Sequence, residues 1–172
     1  MRRQRNQTRR GFTLTEMMVT VAIIGVLAAL AVPMFYRLQR QNRLRSDARM
    51  LLAHLAKARG LAVSGKDGGP TSGWGPDDRT RSAGLRIDST TQYVVFIDRN
   101  LSTDGDEVTV ETVDFSLRPD AQTVIDAPAV GTEIRFRGNG TVVQPENLTV
   151  RDPTLSESRT IVLSGGGKAR LE

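Results

Sequence analysis

Residues 9–36 read RRGFTLTEMMVTVAIIGVLAALAVPMFY, and the rest of the chain takes its meaning from this stretch. It joins two arginines, a Gly-Phe junction, a single carboxylate and a long apolar run. Beyond Glu16, the 20 residues 17–36 carry Thr20 as their only clearly polar side chain. At about 1.5 Å of rise per residue, a helix of that length spans about 30 Å, one hydrocarbon core. The segment is long and apolar enough to cross a membrane.

A secretory signal has an apolar stretch of about 7 to 15 residues with its cleavage site behind it. Here the run is longer, and the obvious junction, Gly11-Phe12, lies ahead of the apolar part. A protease acting there would remove residues 1–11, with their five arginines and no acid, and leave the helix attached. Glu16 stands out, because a carboxylate at the edge of a bilayer-spanning helix is costly and needs a partner or a role. Taken locally, Thr13 and Glu16 have the S/T-x-x-E spacing of a capping box, and a glutamate suits the positive end of the helix dipole. On local grounds alone the cap is the better reading. The adjacent Gly-Phe junction reverses that balance.

This order of features resembles the type III signal of type IV pilins and type II secretion pseudopilins. The likeness rests on G-F-T-L-T-E at residues 11–16, with an acid at the fifth residue after the junction, and on an apolar run broken by Pro33. It implies that a prepilin peptidase cuts after Gly11 and methylates the new N-terminus at Phe12. It also implies that Glu16 meets the Phe12 amine of a neighbouring subunit as the helix leaves the inner membrane for a filament. By the positive-inside rule the leader arginines hold the N-terminus in the cytoplasm, so the head of this single-pass chain is periplasmic. The basic residues that follow the apolar run argue mildly against that topology.

Length and composition bound the rest. The 172 residues leave room for one long helix and one small domain, and too few for two independent cores. The absence of cysteine removes disulfides, thiolate metal sites and cysteine nucleophiles, whereas many pilins carry a terminal disulfide. A net charge of +5 suggests nucleic acid at first sight, but without the leader the chain holds 19 basic and 19 acidic side chains. The balance is uneven along the chain. Residues 37–59 contain seven basic side chains against Asp47 alone, while residues 60–172 contain 12 basic and 17 acidic ones. Such a basic stem can touch lipid head groups or the acidic heads of other subunits, and a merely solvated helix face is the plain alternative.

In chain order, the spacing predicts a helix from near Phe12 to about Ala62. Leu44, Ala48, Leu51, Leu52, Leu55, Ala58 and Ala62 recur at three- and four-residue steps and make one apolar stripe. Gly25 and Pro33 weaken the upstream half, where a kink or a locally melted turn is expected. His54 reads as a surface or interface residue, with no second metal ligand near it. Residues 65–82 form a Gly/Pro-rich loop around Trp74, the only tryptophan, which serves either as a contact or as an anchor tucked onto the sheet. From residue 83 the pattern becomes short β-like runs at 85–87, 93–97, 108–115, 123–125, 134–136, 141–143, 148–150, 161–163 and 169–171. Gly138-Asn139-Gly140 supplies a tight hairpin. Helix first and strands afterwards means an α+β fold, with a long N-terminal helix on an antiparallel β-rich head. The expected division is leader 1–11, transmembrane helix 12–36, amphipathic stem 37–64, loop 65–82 and head 83–172.

The head brings a second resemblance. YVVFIDRN, an acidic turn, IRFRGNG and a terminal basic strand look like minor pseudopilins of the GspH/FimT class. Members of that class sit at or near the filament tip and help prime assembly, so the resemblance implies major and other minor pilins or pseudopilins as partners. The plain alternative is a membrane-anchored periplasmic protein with no filament role.

Two further sets of residues invite a ligand. Asp98, Asn100, Asp104 and Asp106 offer oxygens suited to Ca²⁺, but their spacing departs from an EF-hand loop and lacks its distal glutamate, so a polar hairpin turn is the favoured reading. Lys168 and Arg170 fall on the same side of a terminal strand, where both can reach phosphates. FimT-type minor pilins that bind DNA in natural transformation carry a similar G-R-x-R element. Here lysine replaces its first arginine, and the acidic head repels a polyanion. Nothing in the chain points to an enzyme: G-x-S-x-G, H-E-x-x-H and a Gly-rich phosphate loop are all missing, with one histidine and no cysteine.

Overall fold

The computed structural model describes residues 11–64, 82–98, 107–118 and 122–172. Helix α1 spans Leu14–Ser64. Thr13 caps its start: the hydroxyl accepts the Glu16 amide at 3.3 Å, and the carbonyl accepts the Met17 amide at 3.2 Å. At the other end the Ser64 hydroxyl donates to the Leu61 carbonyl at 3.2 Å. The helix is unbroken through Gly25 and Pro33, so the melted turn expected there is not formed. A proline removes one donor, and the good helix formers on either side, Leu27 to Leu30 before it and Met34 after it, keep the flanking turns wound.

The chain divides into two compact units, residues 1–39 and 40–172. In the first, every described residue from 11 to 39 is exposed. In the second, α1 buries Leu44, Ala48, Leu51, Leu55, Ala58 and Ala62 at alternating steps of four and three, the stripe its sequence shows.

Eight strands follow: β1 Ser82–Ile87, β2 Gln92–Asp98, β3 Val108–Asp114, β4 Val124–Ala127, β5 Glu133–Arg137, β6 Leu148–Asp152, β7 Glu157–Leu163 and β8 Ala169–Leu171. They form two four-stranded sheets, ordered β3-β2-β1-β5 and β4-β6-β7-β8, and every pairing is antiparallel. One core joins them. Leu85, Tyr93, Val95, Ile134 and Phe136 of the first sheet and Ile125, Leu148, Val150 and Ile161 of the second pack with the α1 stripe.

Several boundaries differ from expectation for identifiable reasons. β1 begins at Ser82, one residue inside the expected loop, because Ser82 pairs with both Asp98 and Arg137. β3 ends at Asp114, whose carboxylate accepts the Ser116 amide at 2.7 Å and turns Phe115–Leu117 into a 3-10 turn. The Gly138-Asn139-Gly140 turn forms, with the Gly140 amide donating to the Arg137 carbonyl at 2.7 Å. The expected return strand at 141–143 reduces to a single bridge, Phe136 to Val142, held by the Arg137 amide on the Thr141 carbonyl and the Val143 amide on the Arg135 carbonyl, while the Val142 amide faces away and bonds to the Gly165 carbonyl in the β7–β8 turn. Gly84, central in the first sheet, allows a close approach: a Cβ there would lie 2.3 Å from the Ile134 carbonyl oxygen and 2.8 Å from the Phe96 ring.

Candidate functional site

The three residues nominated for processing and assembly lie just ahead of α1, Gly11 and Phe12, and in its first turn, Glu16. Gly11, Phe12 and Glu16 are all exposed, with Phe12 78% accessible. The Thr13 cap occupies the Glu16 backbone amide and leaves its carboxylate facing solvent. Downstream, the Thr20 hydroxyl bonds back to the Glu16 carbonyl at 2.7 Å, which satisfies the polar side chain within the helix itself. An 18-residue window of α1 has a mean hydropathy of 2.5, and none of it is buried. The site is therefore an accessible Gly11-Phe12 junction, a solvent-facing carboxylate one turn further on and an uncovered apolar segment.

On the stem, two polar side chains that the sequence placed outside the apolar stripe lie against the sheets. Asp47 is 5% exposed. Its carboxylate accepts the Thr123 hydroxyl at 2.7 Å and pairs with the Arg118 guanidinium, tying the stretch between β3 and β4 to α1. His54 is a packed residue rather than a surface one, with a side chain 13% exposed. Its Nδ1 lies 2.8 Å from the Tyr93 hydroxyl and its Nε2 3.5 Å from Glu111. Burial lowers the His54 pKa, and the Glu111 carboxylate only partly opposes it. Burial also raises the Tyr93 phenol, so Tyr93 donates to a neutral imidazole whose Nε2–H faces Glu111. Lys57 closes the group by donating to Glu111 at 2.6 Å.

On the far side of the first sheet, Arg135 and Arg86 gather Asp88, Asp98, Glu107 and Glu133. Arg135 pairs with Asp98 and Glu107 and lies 2.7 Å from Glu133, while Arg86 reaches Glu107 at 2.6 Å and Asp88 at 2.7 Å. The Arg135 guanidinium also stacks 5.1 Å from the Phe96 ring centroid. Burial raises the Glu107 pKa, and the neighbouring Glu133 adds to the effect. Of the oxygen set nominated for Ca²⁺, Asp98 is fully buried in this cluster and also accepts the Ser82 hydroxyl at 3.3 Å. Asn100, Asp104 and Asp106 lie outside the described residues, as does Trp74 with the 65–81 stretch. Among the described residues no group of His, Asp or Glu is arranged to hold a metal ion.

At the C-terminus, Lys168 and Arg170 are both exposed, while Ala169 and Leu171 pack toward the core, so the two cations share the outward side. Arg170 pairs with Glu172.

Against solved structures, the chain resembles the type IV minor pilin FimU of Pseudomonas aeruginosa (strain PAO1) in two crystal forms. One matches with a TM-score of 0.54 at 19% identity, covering 77% of this chain and 90% of FimU. The other matches with a TM-score of 0.51 at 20% identity, over 75% and 92%. The fold is the pilin fold, one long N-terminal helix followed by antiparallel sheets. Residues 47–167 match the Type II transport protein GspH family and residues 6–32 the prokaryotic N-terminal methylation motif, and the chain belongs to the GspH family. Among curated relatives, the pilin-like protein PilA1 of Thermus thermophilus is 29% identical over 96% of this chain and 99% of its own length. The type IV major pilin protein PilA of Myxococcus xanthus (strain DK1622) is 45% identical over 62 residues. That likeness spans 36% of this chain and 28% of the relative. The families concerned are structural subunits rather than enzymes, and the motif and apolar helix are consistent with a membrane-anchored subunit that becomes part of a filament.

Proposed function

We propose that this chain is a minor subunit at or near the tip of a type IV pilus or type II secretion pseudopilus, where it helps to prime assembly. A prepilin peptidase removes residues 1–11 and methylates Phe12, and the helix waits in the inner membrane until it is extracted into the filament. The observation that carries this reading is the wholly uncovered apolar rod at 11–39 with Glu16 at its capped end. In lipid or in a bundle of like helices that surface is buried, and in water it is not stable. The lone carboxylate at its start then needs a cation, and the new Phe12 amine of a neighbour supplies one whose attraction offsets the desolvation of both groups.

The test separates charge from capping. The Thr13 cap uses the Glu16 backbone amide, so Glu16→Gln leaves it intact and removes only the carboxylate charge. The variant should be processed normally, shown by the mass of a methylated Phe12 N-terminus, and should be lost from sheared filaments. Normal incorporation of Glu16→Gln would refute the intersubunit role, and an intact Met1 would refute the processing.

A further inference from the structure

β8 is the outermost strand of its sheet, and among the described residues nothing pairs with its outer edge. The register fixes which main-chain groups face which way. The Ser164 amide donates to the Lys168 carbonyl at 2.9 Å and the Glu172 amide to the Thr160 carbonyl at 2.8 Å. Lys168, Arg170 and Glu172 therefore turn their amides and carbonyls toward β7. Ala169 and Leu171, which alternate with them, turn theirs outward, where no described group meets them.

A groove of about 720 Å³ runs beside this edge. Its α1 wall is Leu52, Ala56, Gly60 and Val63, and two cations, Arg59 and Lys168, border it. Arg59 donates to the Gly140 carbonyl at 3.1 Å and the Gly166 carbonyl at 3.4 Å, both neutral acceptors. Neither Arg59 nor Lys168 has a carboxylate partner among the described residues. Arg170 is already neutralised by Glu172.

We propose that this groove takes an extended acidic segment of a neighbouring subunit, which adds a strand to β8 and sets its apolar side chains against α1. Each part of the site asks for a different part of that ligand. The outward amides and carbonyls of Ala169 and Leu171 ask for main chain in β conformation. The apolar wall, with small residues at Ala56 and Gly60, admits close-packed aliphatic side chains. The two unneutralised cations ask for carboxylates, Lys168 on the outward face of the added strand and Arg59 where it meets α1. A nucleic acid would use the cations and leave the free edge and the apolar wall without partners. Only the source of the segment rests on the filament reading above.

The test uses the full processed chain in detergent micelles and a fluorescein-labelled peptide of about six residues alternating Glu and Val. Anisotropy should show saturable binding. Ala169→Pro deletes the outward amide and leaves the β7 ladder untouched, and it should weaken binding about tenfold with little change in Tm. Lys168→Glu, at an exposed position, should weaken it to a similar degree, and it keeps the test informative if the proline variant fails to fold. The proposal is overturned if the peptide does not bind, if a Lys–Val peptide binds as well, or if a well-folded Ala169→Pro is unaffected. It is also overturned if a DNA duplex binds in a Lys168-dependent way and displaces the peptide. Failure here with normal filament incorporation sinks the groove alone. Peptide binding by a chain that never enters filaments sinks the filament reading alone.

Discussion

Arg118→Ala should cost more stability than Asp47→Ala, although Arg118 is the more accessible partner of the pair. The Asp47 side chain is 7% exposed and that of Arg118 47%. Removing the guanidinium leaves a buried carboxylate whose remaining partner is the Thr123 hydroxyl at 2.7 Å. Stripping one member from a buried ion pair costs about 3–5 kcal/mol, and water entering on the open Arg118 side brings this to about 3 kcal/mol. Loss of the guanidinium 5.9 Å from the Phe115 ring centroid adds about 0.5 kcal/mol. Asp47→Ala is milder: Arg118 regains water, and the principal loss is the acceptor for the buried Thr123 hydroxyl, about 1–2 kcal/mol. The double variant should resemble Asp47→Ala alone, since the charge that made the arginine costly to lose is gone. Urea unfolding of the full chain in micelles measures all three, followed by near-ultraviolet circular dichroism of Tyr93 and Phe115, whose centroids lie 5.7 Å apart. If Arg118→Ala costs less than about 0.5 kcal/mol, or if the two single costs simply add, the pair behaves as a surface contact and the argument fails.

Gly84→Ala should reduce the yield of folded protein or lower stability by about 3 kcal/mol or more, because the new methyl meets a backbone oxygen that has no room to retreat. Expression level and Tm report it, and a wild-type Tm would contradict the packing. Leu51→Ala, at a side chain with no exposure, should cost about 2–5 kcal/mol by chemical unfolding. The His54 pKa is lowered on folding, so between its folded value and 6.5 the unfolded chain binds more protons than the folded one. Stability should therefore fall as pH drops below about 6.5, and level off below the folded pKa. His54→Gln, which keeps an acceptor for Tyr93, should flatten that slope in urea midpoints, and an unchanged slope would place the effect elsewhere.

How far the sequence could be read depended on whether a pattern was local. The stripe from Leu44 to Ala62 needs only periodicity within one helix, and it appears as expected. The start of α1 was equally local, because Thr13 and Glu16 sit three residues apart. The burial of Asp47 and His54 was not read from the sequence, because only apolar residues were counted in the stripe. Their positions carried a signal nonetheless: each lies three residues after a buried leucine of the stripe, Leu44 or Leu51, and one residue before the next buried position, Ala48 or Leu55. What buries them is Thr123, Arg118, Tyr93 and Glu111, groups 39 to 76 positions away, and no helical period reports those. The same distance problem hid the split into two sheets. Runs of alternating residues show that strands exist, whereas their order depends on pairings such as Ser82 with Arg137, 55 positions apart, that a reader of the chain cannot make. At the N-terminus, the methylation motif was legible because it is written in a contiguous stretch, residues 6–32. Around Asp98 the sequence left a polar turn and an ion site open together, because a carboxylate run has the same letters whether an ion or an arginine comes to meet it.

The Arg59 side chain has one more consequence. It grips the Gly140 carbonyl, in the turn that follows the first sheet, and the Gly166 carbonyl, in the turn of the second. Those turns pack backbone to backbone: a Cβ on Gly167 would lie 2.0 Å from the Gly140 oxygen. Arg59 thus links the stem to a turn of each sheet, beside the Val142–Gly165 bond and the core that the sheets share. In the filament proposed above, a load carried along the stem would reach both sheets through this link.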